Sequence, residues 1–196
     1  MKKGLLALCG PLSGGHKLSK YKLSNSLKTV EGGMLMRKKN REVTNPADIF
    51  SIMQACDRAV LAFNAEPAPY LLPVNMGSTF TEDGFTLYFH GATEGCKYAY
   101  LRDGATVSFE MDCHHELIAD QARGYCTMDY DAVIGNGRVY EILPPAEKAA
   151  ALQIIVDSHH VDEAFVYNPA AIPRTRVFKV EVNHITGKSK HSSATS

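Results

Sequence analysis

The sequence lacks several features that would assign it to a protein class at once. Its 196 residues include no tryptophan, and none of its five cysteines forms a CxxC pair. The odd number of cysteines argues against a disulfide framework or a structural zinc site and favours a reduced, cytoplasmic setting. Charge of one sign is not in excess either, because 21 Lys and Arg residues balance 21 Asp and Glu residues. This balance argues against nucleic-acid binding.

Long apolar runs are missing too. No stretch approaches the ~18 apolar residues of a membrane-spanning helix, so no membrane partner is expected. The N-terminal run "MKKGLLALCGPLSGG" is interrupted by Gly10 and Pro11, whereas a signal core usually needs ~7–15 apolar residues. A secretion or lipoprotein signal is therefore the less favoured alternative. We interpret residues 1–33 as a polar extension outside the core, 34–188 as one folded domain and 189–196 as a flexible tail.

The folded part is rich in strand patterns. Alternating apolar and polar residues predict strands at 58–64, 70–79, 85–90, 105–113, 132–143 and 174–187. Helical spacing predicts helices at 46–56, 93–103 and 144–159, the first capped by Asn45 and the second by Thr93. "TEDG" at 81–84 predicts a hairpin turn, and a polar loop is expected to about Arg123. Strict strand–helix alternation is absent, so the pattern favours a mainly β (α+β) antiparallel barrel or closed sheet with a few helices.

The stretch "LYFHGATEGCK" at 87–97 combines groups that suit a ligand site. Alternation places Phe85, Leu87 and Phe89 on the core face and Thr86, Tyr88 and His90 on the other. Gly91 permits unusual backbone, and a helix beginning near Glu94 offers free amides with Lys97 one turn in. These groups predict an anion site, although Glu94 opposes a phosphate and His90 by itself is more typical of a surface turn.

Three other motifs carry weaker signals. "CHHE" at 113–116 holds metal-ligating residue types, but adjacent strand residues point apart, so no metal site is predicted. "GNG" at 135–137 lies in a strand and marks a bulge or a close backbone approach rather than a dinucleotide fingerprint. Cys96 and Cys126 have no base nearby in sequence, so packed thiols are favoured over nucleophiles.

Taken in order, several blocks between Met36 and Lys188 resemble one family. They are "MRKKNREVTNPADIFSIMQACDRAVLAF", "PYLLPVNMGSTF", "LYFHGATEGCK", "SFEMDCHHELI", "YCTMDYDAVIGNGRVYEI" and "VFKVEVNHITGK". They resemble the nitroimidazole-resistance (Nim-type) proteins of the pyridoxamine 5′-phosphate oxidase-like flavin-binding split-barrel superfamily. One block departs from the family pattern, because Tyr-Arg-Ser-Val-Ile-Gly reads with Asp131 and Ala132 in place of the Arg and Ser.

The resemblance implies an antiparallel split β-barrel that forms a homodimer, with FMN (or FAD) in a groove at the interface. It implies His90 as the catalytic residue and Lys97 at the flavin phosphate. The cofactor-binding residues that it implies are Val74, Asn75, Met76, Phe89, His90, Gly91, Lys97, Tyr130, Val133 and Ile134.

The activity implied is that of an FMN-dependent oxidoreductase that reduces a small electron-poor acceptor such as a nitro-aromatic compound. NADH and NADPH are candidate electron donors, and neither leaves a mark in the sequence. The change at Asp131 weakens the inference about substrate. The alternatives are a non-catalytic flavin-binding or storage module and a haem-binding split barrel.

Overall fold

The computed structural model describes residues 36–159 and 168–192. The extension predicted for 1–33 and the last residues of the predicted tail, 193–196, lie outside the described residues. The strands are β1 Glu42–Val43, β2 Arg58–Phe63, β3 Tyr70–Thr81, β4 Gly84–Gly91, β5 Ala105–Asp120, β6 Tyr125–Ile142 and β7 Arg176–Lys190. The α-helices are α1 Pro46–Ala55 and α2 Pro145–Ser158, and short 3-10 helices cover Lys39–Arg41, Cys96–Ala99 and Ile172–Arg174. No helix among the described residues is long and apolar enough to cross a membrane.

The sheet is antiparallel throughout and closes on itself. Its strand order is β1-β7-β4-β3-β2-β5-β6, and an additional pairing of β6 with β7 joins the two sides. Strands β2 to β7 therefore form a barrel, and β1 adds a short pairing to β7 through Glu42–Lys188 and Val43–Gly187. The predicted mainly β barrel with a few helices is confirmed.

The barrel encloses the main core, and α1 packs against it. Asn45 caps α1 by accepting a hydrogen bond from the amide of Ala47 at 2.9 Å, as the sequence predicts. Ile49, Ile52 and Met53 on one face of α1 are buried with the barrel's interior side chains. The predicted core face of β4 is also confirmed, since Leu87 and Phe89 are buried and Phe85 packs against them.

Helix α2 covers the outside of the barrel and builds a second, smaller cluster. Its residues Ala151, Leu152 and Ile155 are buried together with Ile142 of β6 and Val177 of β7. Adjacent residues Val177 and Phe178 are both buried because β7 has the barrel core on one face and α2 on the other.

The largest departure from the predicted fold is the β5–β6 hairpin. The expected polar loop from residue 114 to about 123 is mostly strand, because β5 continues to Asp120 and β6 begins at Tyr125. The hairpin arm leaves Leu117, Tyr125 and Met128 exposed. The sequence does not predict strands here because the residues of the arm do not alternate regularly between polar and apolar. Backbone hydrogen bonds between the two strands stabilise the arm without such alternation. The prediction for "GNG" is confirmed, since the register shifts between Asn136 and Gly137.

Strand β7 continues to Lys190, beyond the domain end expected at 188, and its end is tied to β6. The Lys190 ammonium lies 2.7 Å from Oδ1 of Asp129, and both side chains are largely buried. The amide and hydroxyl of Ser192 donate to the same carboxylate. The Lys190 contact and the amide of Ser192 lower the pKa of Asp129 to about 2.

Candidate functional site

A pocket lies where strands β3 and β4 separate. They pair from Thr81–Gly84 to Met76–Phe89. Beyond that point β3 continues along β2, while β4 continues along β7 through His90–Val177 and Gly91–Arg176. The split leaves a pocket of about 250 Å³. It is lined by Leu72, Pro73, Val74, Asn75, Phe89, His90, Gly91, Lys97 and Phe178.

One wall of the pocket is a strand edge that the described sheet does not use. Residues 72–75 of β3 pair with β2 on one side, whereas pairing with β4 begins only at Met76. Pro73 is tolerated here because a strand with a free edge does not need every amide hydrogen for the ladder. The backbone polar groups on this edge face the pocket and are available to a ligand.

The pocket floor is aromatic. Phe89 of β4 and Phe178 of β7 stack with their ring centroids 5.3 Å apart, and both are almost fully buried. Val74 and Asn75 line the pocket as the family resemblance implies, but the side chain of Met76 is 2% exposed and belongs to the core. Met76 is therefore the last residue of β3 that pairs with β4, and it does not line the pocket.

Lys97 supplies the positive charge of the pocket, although the predicted helix around it is wrong. The segment is a four-residue 3-10 helix, Cys96–Ala99, which begins after Gly95 and has no side-chain cap. Thr93 therefore does not cap a helix, and so short a turn has little dipole with which to attract an anion. Attraction of an anion rests on the Lys97 ammonium, and no carboxylate among the described residues forms an ion pair with it.

Gly91 serves a different purpose from the one predicted. Its backbone is not among those with positive φ, so an unusual conformation does not require glycine there. A Cβ at this position would lie 2.7 Å from Nζ and 2.9 Å from Cε of Lys97. Glycine therefore makes room for the lysine side chain to lie across the end of β4.

A polar brace that sequence reasoning missed holds the Lys97 segment to the barrel. Arg176 donates to both carboxylate oxygens of Glu141, with distances of 2.8 and 2.5 Å. Its guanidinium lies 4.0 Å from the ring centroid of Tyr98, whose hydroxyl donates to the carbonyl of Ala92. Arg176 and Glu141 are 35 residues apart and Tyr98 is on a third segment, so no local pattern signals their contact.

His90 stands at the end of β4, beside the pocket and outside the core layer, as predicted. Partial burial of the ring and the neighbouring Lys97 ammonium lower the pKa of His90 below its ordinary value of 6.5. Its imidazole is therefore neutral at neutral pH. A neutral ring has one nitrogen that donates a hydrogen bond and one that accepts.

The remaining residues implied by the resemblance lie far from this pocket in the same chain. Ile134 of β6 pairs with Thr186 of β7, whereas His90 pairs with Val177, nine residues earlier on β7. At about 3.3 Å per residue, the nine residues of β7 between these two pairings correspond to roughly 30 Å along the strand. Ile134 is exposed, Tyr130 is half-buried and Val133 is buried in the core. One chain therefore does not bring Tyr130, Val133 and Ile134 to the pocket.

A closed barrel with a pocket between two diverging strands defines the split-barrel class of proteins. A family model described as pyridoxamine 5′-phosphate oxidase matches residues 45–189, about three quarters of the chain. The chain therefore belongs to this family. A search of curated proteins finds no match.

Solved structures agree with this assignment. A candidate 5-nitroimidazole antibiotic resistance protein from Bacteroides thetaiotaomicron is 30% identical, with a TM-score of 0.63 over 75% of this chain and 85% of that chain. The resemblance to Nim-type proteins is thereby confirmed. An FAD- and haem-binding protein from Mycobacterium smegmatis is 14% identical, with a TM-score of 0.65 over 78% of this chain and 74% of that chain. The flavocytochrome Anf3 from Azotobacter vinelandii is 17% identical, with a TM-score of 0.64 over 81% and 73%. These last two share the fold.

Proposed function

We propose that this protein binds FMN in the pocket between β3 and β4 and transfers electrons to a small electron-poor acceptor, such as a nitro-aromatic compound. The observation that carries the proposal is the position of Lys97, whose ammonium lies against Gly91 beside the free backbone edge of residues 72–75. The family and the name of the Bacteroides relative support the same class of function.

The residues of the pocket fit a flavin. Lys97 would hold the phosphate, since its charge is not neutralised by a carboxylate among the described residues, and such a charge-assisted contact is worth ~1.5–3 kcal/mol. The side chain of Leu72 offers apolar surface to a planar ring, and the almost fully buried Phe89 and Phe178 support the pocket from the core. The free edge of residues 72–75 offers backbone donors and acceptors to the ring's nitrogen and oxygen atoms. FAD would use the same contacts.

The pocket of one chain is small for a whole flavin. Its volume of about 250 Å³ lies below the ~300–1,000 Å³ that is usual for ligand sites. We therefore propose a homodimer in which a second copy covers the cofactor. Leu71, next to the pocket wall, and Ile134 of β6 are more than half exposed, at 59% and 54%. A partner that places its Tyr130 and Ile134 over the pocket would bury both apolar surfaces.

His90 is the proposed catalytic residue. A bound flavin would supply the hydride and electron chemistry, and the protein would supply position and electrostatics. The neutral imidazole of His90 would donate a hydrogen bond to an oxygen of the acceptor and hold it against the floor of the pocket. Lys97 would add positive potential where negative charge builds on the acceptor. NADH or NADPH is the proposed source of electrons.

A visible spectrum of the purified protein is the first test. We expect the two bands of an oxidised flavin, and a Soret band in their place would support a haem protein instead. Anaerobic addition of NADH or NADPH should bleach the flavin, and a nitro-aromatic compound should restore it. If neither donor reduces the flavin, and the acceptor does not re-oxidise flavin that has been reduced chemically, the result would support a storage module instead of an enzyme.

Light scattering should show a dimer, and a monomer with full flavin occupancy would contradict the proposed interface.

A further inference from the structure

A second group of chemically competent side chains lies away from the pocket, at the base of the β5–β6 hairpin arm. Cys113 and His114 of β5 meet Asp131 of β6, and one potential ligand atom from each lies within 4.8 Å of the others. His114 Nδ1 is 2.8 Å from Oδ2 of Asp131 and 3.6 Å from Sγ of Cys113. Asp131 is 7% exposed, so a carboxylate is buried at the centre of the group.

A β-bulge brings these side chains together. The β5–β6 register shifts between Cys113 and Glu116, so that His114 and His115 together oppose Tyr130. His114 takes the bulge conformation with φ of 55°, which is unusual for a residue other than glycine. Adjacent strand residues normally point to opposite faces, and that rule underlies the prediction that "CHHE" does not bind metal. The bulge removes this objection, since Cys113 and His114 now share one side of the strand.

We propose that Cys113, His114 and Asp131 form a binding site for a divalent transition metal ion, for which Zn²⁺ is the best-matched ion. Thiolate, imidazole and carboxylate are all zinc ligands, and a set of three protein ligands leaves a fourth position for water. A tetrahedral ion with Zn–S of about 2.3 Å and Zn–N of about 2.0–2.1 Å separates sulfur from nitrogen by about 3.5–3.6 Å. The observed Cys113–His114 distance of 3.6 Å matches this value. The 2.8 Å between His114 Nδ1 and Asp131 Oδ2 is a hydrogen-bond distance, which has to lengthen to about 3.3–3.4 Å when an ion takes the place of the shared proton.

A Cys-His-Asp catalytic triad does not explain the same geometry. In a triad the nucleophile and the carboxylate contact different ring nitrogens, so that one nitrogen accepts the proton of the nucleophile while the carboxylate orients the ring through the other. Here the sulfur of Cys113 and the carboxylate of Asp131 both face Nδ1 of His114. A bound cation would hold the Cys113 sulfur as a thiolate.

The surroundings suit a cation. His191, beyond the end of β7, places Nε2 3.0 Å from each oxygen of Asp131 and so acts as a positioning residue for that ligand. A cleft beside Cys113, also lined by Asp57 and Asp112, gives access from solvent, and the guanidinium of Arg58 partly offsets its negative charge. The two anionic ligands, thiolate and carboxylate, would neutralise a doubly charged ion.

Zinc binding to the full-length, untagged chain tests the site. The protein is stripped with a chelator, kept reduced, and titrated with Zn²⁺ by calorimetry, while X-ray absorption of the loaded protein reports the ligand atoms. We expect one ion per chain and a sulfur neighbour at about 2.3 Å. Cys113→Ser should remove the sulfur signal, and Cys113→Ser and Asp131→Asn should each weaken binding at least 10-fold. His191→Gln should weaken it by about 10-fold without changing the set of ligand atoms.

Two matched variants control for general damage. His115→Gln removes the neighbouring imidazole, which contacts Asp112 at 2.9 Å and not the proposed ligands. Cys126→Ser removes an exposed thiol on the same hairpin. Both should bind zinc like the wild type, whereas His114→Gln should not. If a Cys113 or Asp131 variant fails to fold, His114→Gln decides the matter, because its side chain is 57% exposed. Absence of stoichiometric binding, a loaded site without sulfur, or equal binding by His114→Gln would overturn the proposal.

Discussion

Lys97 lies so close to Gly91 that its Nζ is 2.7 Å from the point where a Cβ on residue 91 would stand. Glycine at position 91 therefore leaves the space that the Lys97 side chain occupies. The end of β4 and the 3-10 helix that carries Lys97 are packed together as one unit. The brace of Arg176, Glu141 and Tyr98 holds that unit against β7. The phosphate end of the proposed flavin site depends on this contact.

Gly91→Ala tests directly whether the space at residue 91 positions the Lys97 side chain. The new methyl group should displace the Lys97 ammonium from the phosphate. FMN binding should therefore weaken by about 10-fold, which corresponds to ~1.4 kcal/mol. The fold should be preserved, because the backbone of Gly91 does not need glycine and the two closest atoms belong to the end of the flexible Lys97 side chain, with the Tyr98 hydroxyl next at 3.2 Å. Fluorescence titration with FMN measures the effect. In a Gly91→Ala/Lys97→Ala double variant the loss should match that of Lys97→Ala, and fully additive losses would show that Gly91 acts in some other way.

Lys97→Ala should weaken FMN binding by roughly 10- to 100-fold, because it removes a charge-assisted phosphate contact of ~1.5–3 kcal/mol. Thermal stability should change little. Arg123→Ala, in the turn of the β5–β6 hairpin, removes one positive charge whose side chain is 80% exposed and does not line the pocket, and it serves as the control. Equal affinities for the two variants would remove Lys97 from the phosphate site.

The pKa of His90 should respond to Lys97. Burial and the Lys97 ammonium hold this pKa below 6.5, so the protonated form is disfavoured in the folded protein. Removing the ammonium should raise the pKa towards 6.5 without reaching it, since partial burial remains. NMR titration of the imidazole protons in flavin-free protein follows the change. An identical titration curve in wild type and Lys97→Ala would show that the two side chains do not interact.

His90→Ala should impair turnover more than flavin binding. The imidazole lies outside the core, so its loss leaves no cavity, and the phosphate end of the pocket is untouched. If His90 orients the acceptor, re-oxidation of the reduced flavin by a nitro-aromatic compound should slow by ~10²-fold or more. Stopped-flow mixing after chemical reduction measures this step without a nicotinamide donor. A variant that binds FMN and is re-oxidised at the wild-type rate would limit His90 to lining the pocket.

The pairing of Asp129 with Lys190 should appear in acid unfolding. The carboxylate pKa is lowered from 3.8 to about 2 in the folded protein. Its stabilising contribution is therefore fully present above pH ~4 and is lost as the pH falls from ~4 to ~2. Asp129→Asn should be less stable than wild type at pH 6, and the difference should shrink across that window. Glu116→Gln, which removes an exposed carboxylate of the same hairpin, should have little effect on the free energy of unfolding at either pH.

Much of the secondary structure follows from local patterns in the sequence. The Asn45 cap, the 81–84 hairpin turn and the buried face of β4 depend on residues within a few positions of one another, where side-chain period and capping chemistry decide the outcome. His90 and Lys97 were placed at one site by the same local reasoning, since they lie at the end of one strand and in the segment that follows it. The family follows from the order of the sequence blocks.

Tertiary structure alone decided the rest, because it depends on which strands pair and where they part. The pocket exists because β3 follows β2 while β4 follows β7, and no local pattern marks that separation. The Arg176–Glu141 brace joins residues 35 positions apart. The bulge at His114 turns two neighbouring side chains to one side and brings them to Asp131, against the alternation expected of a regular strand. Local sequence sets the period of a strand, whereas the backbone hydrogen bonds of the closed barrel set its register, its bulges and its open edges.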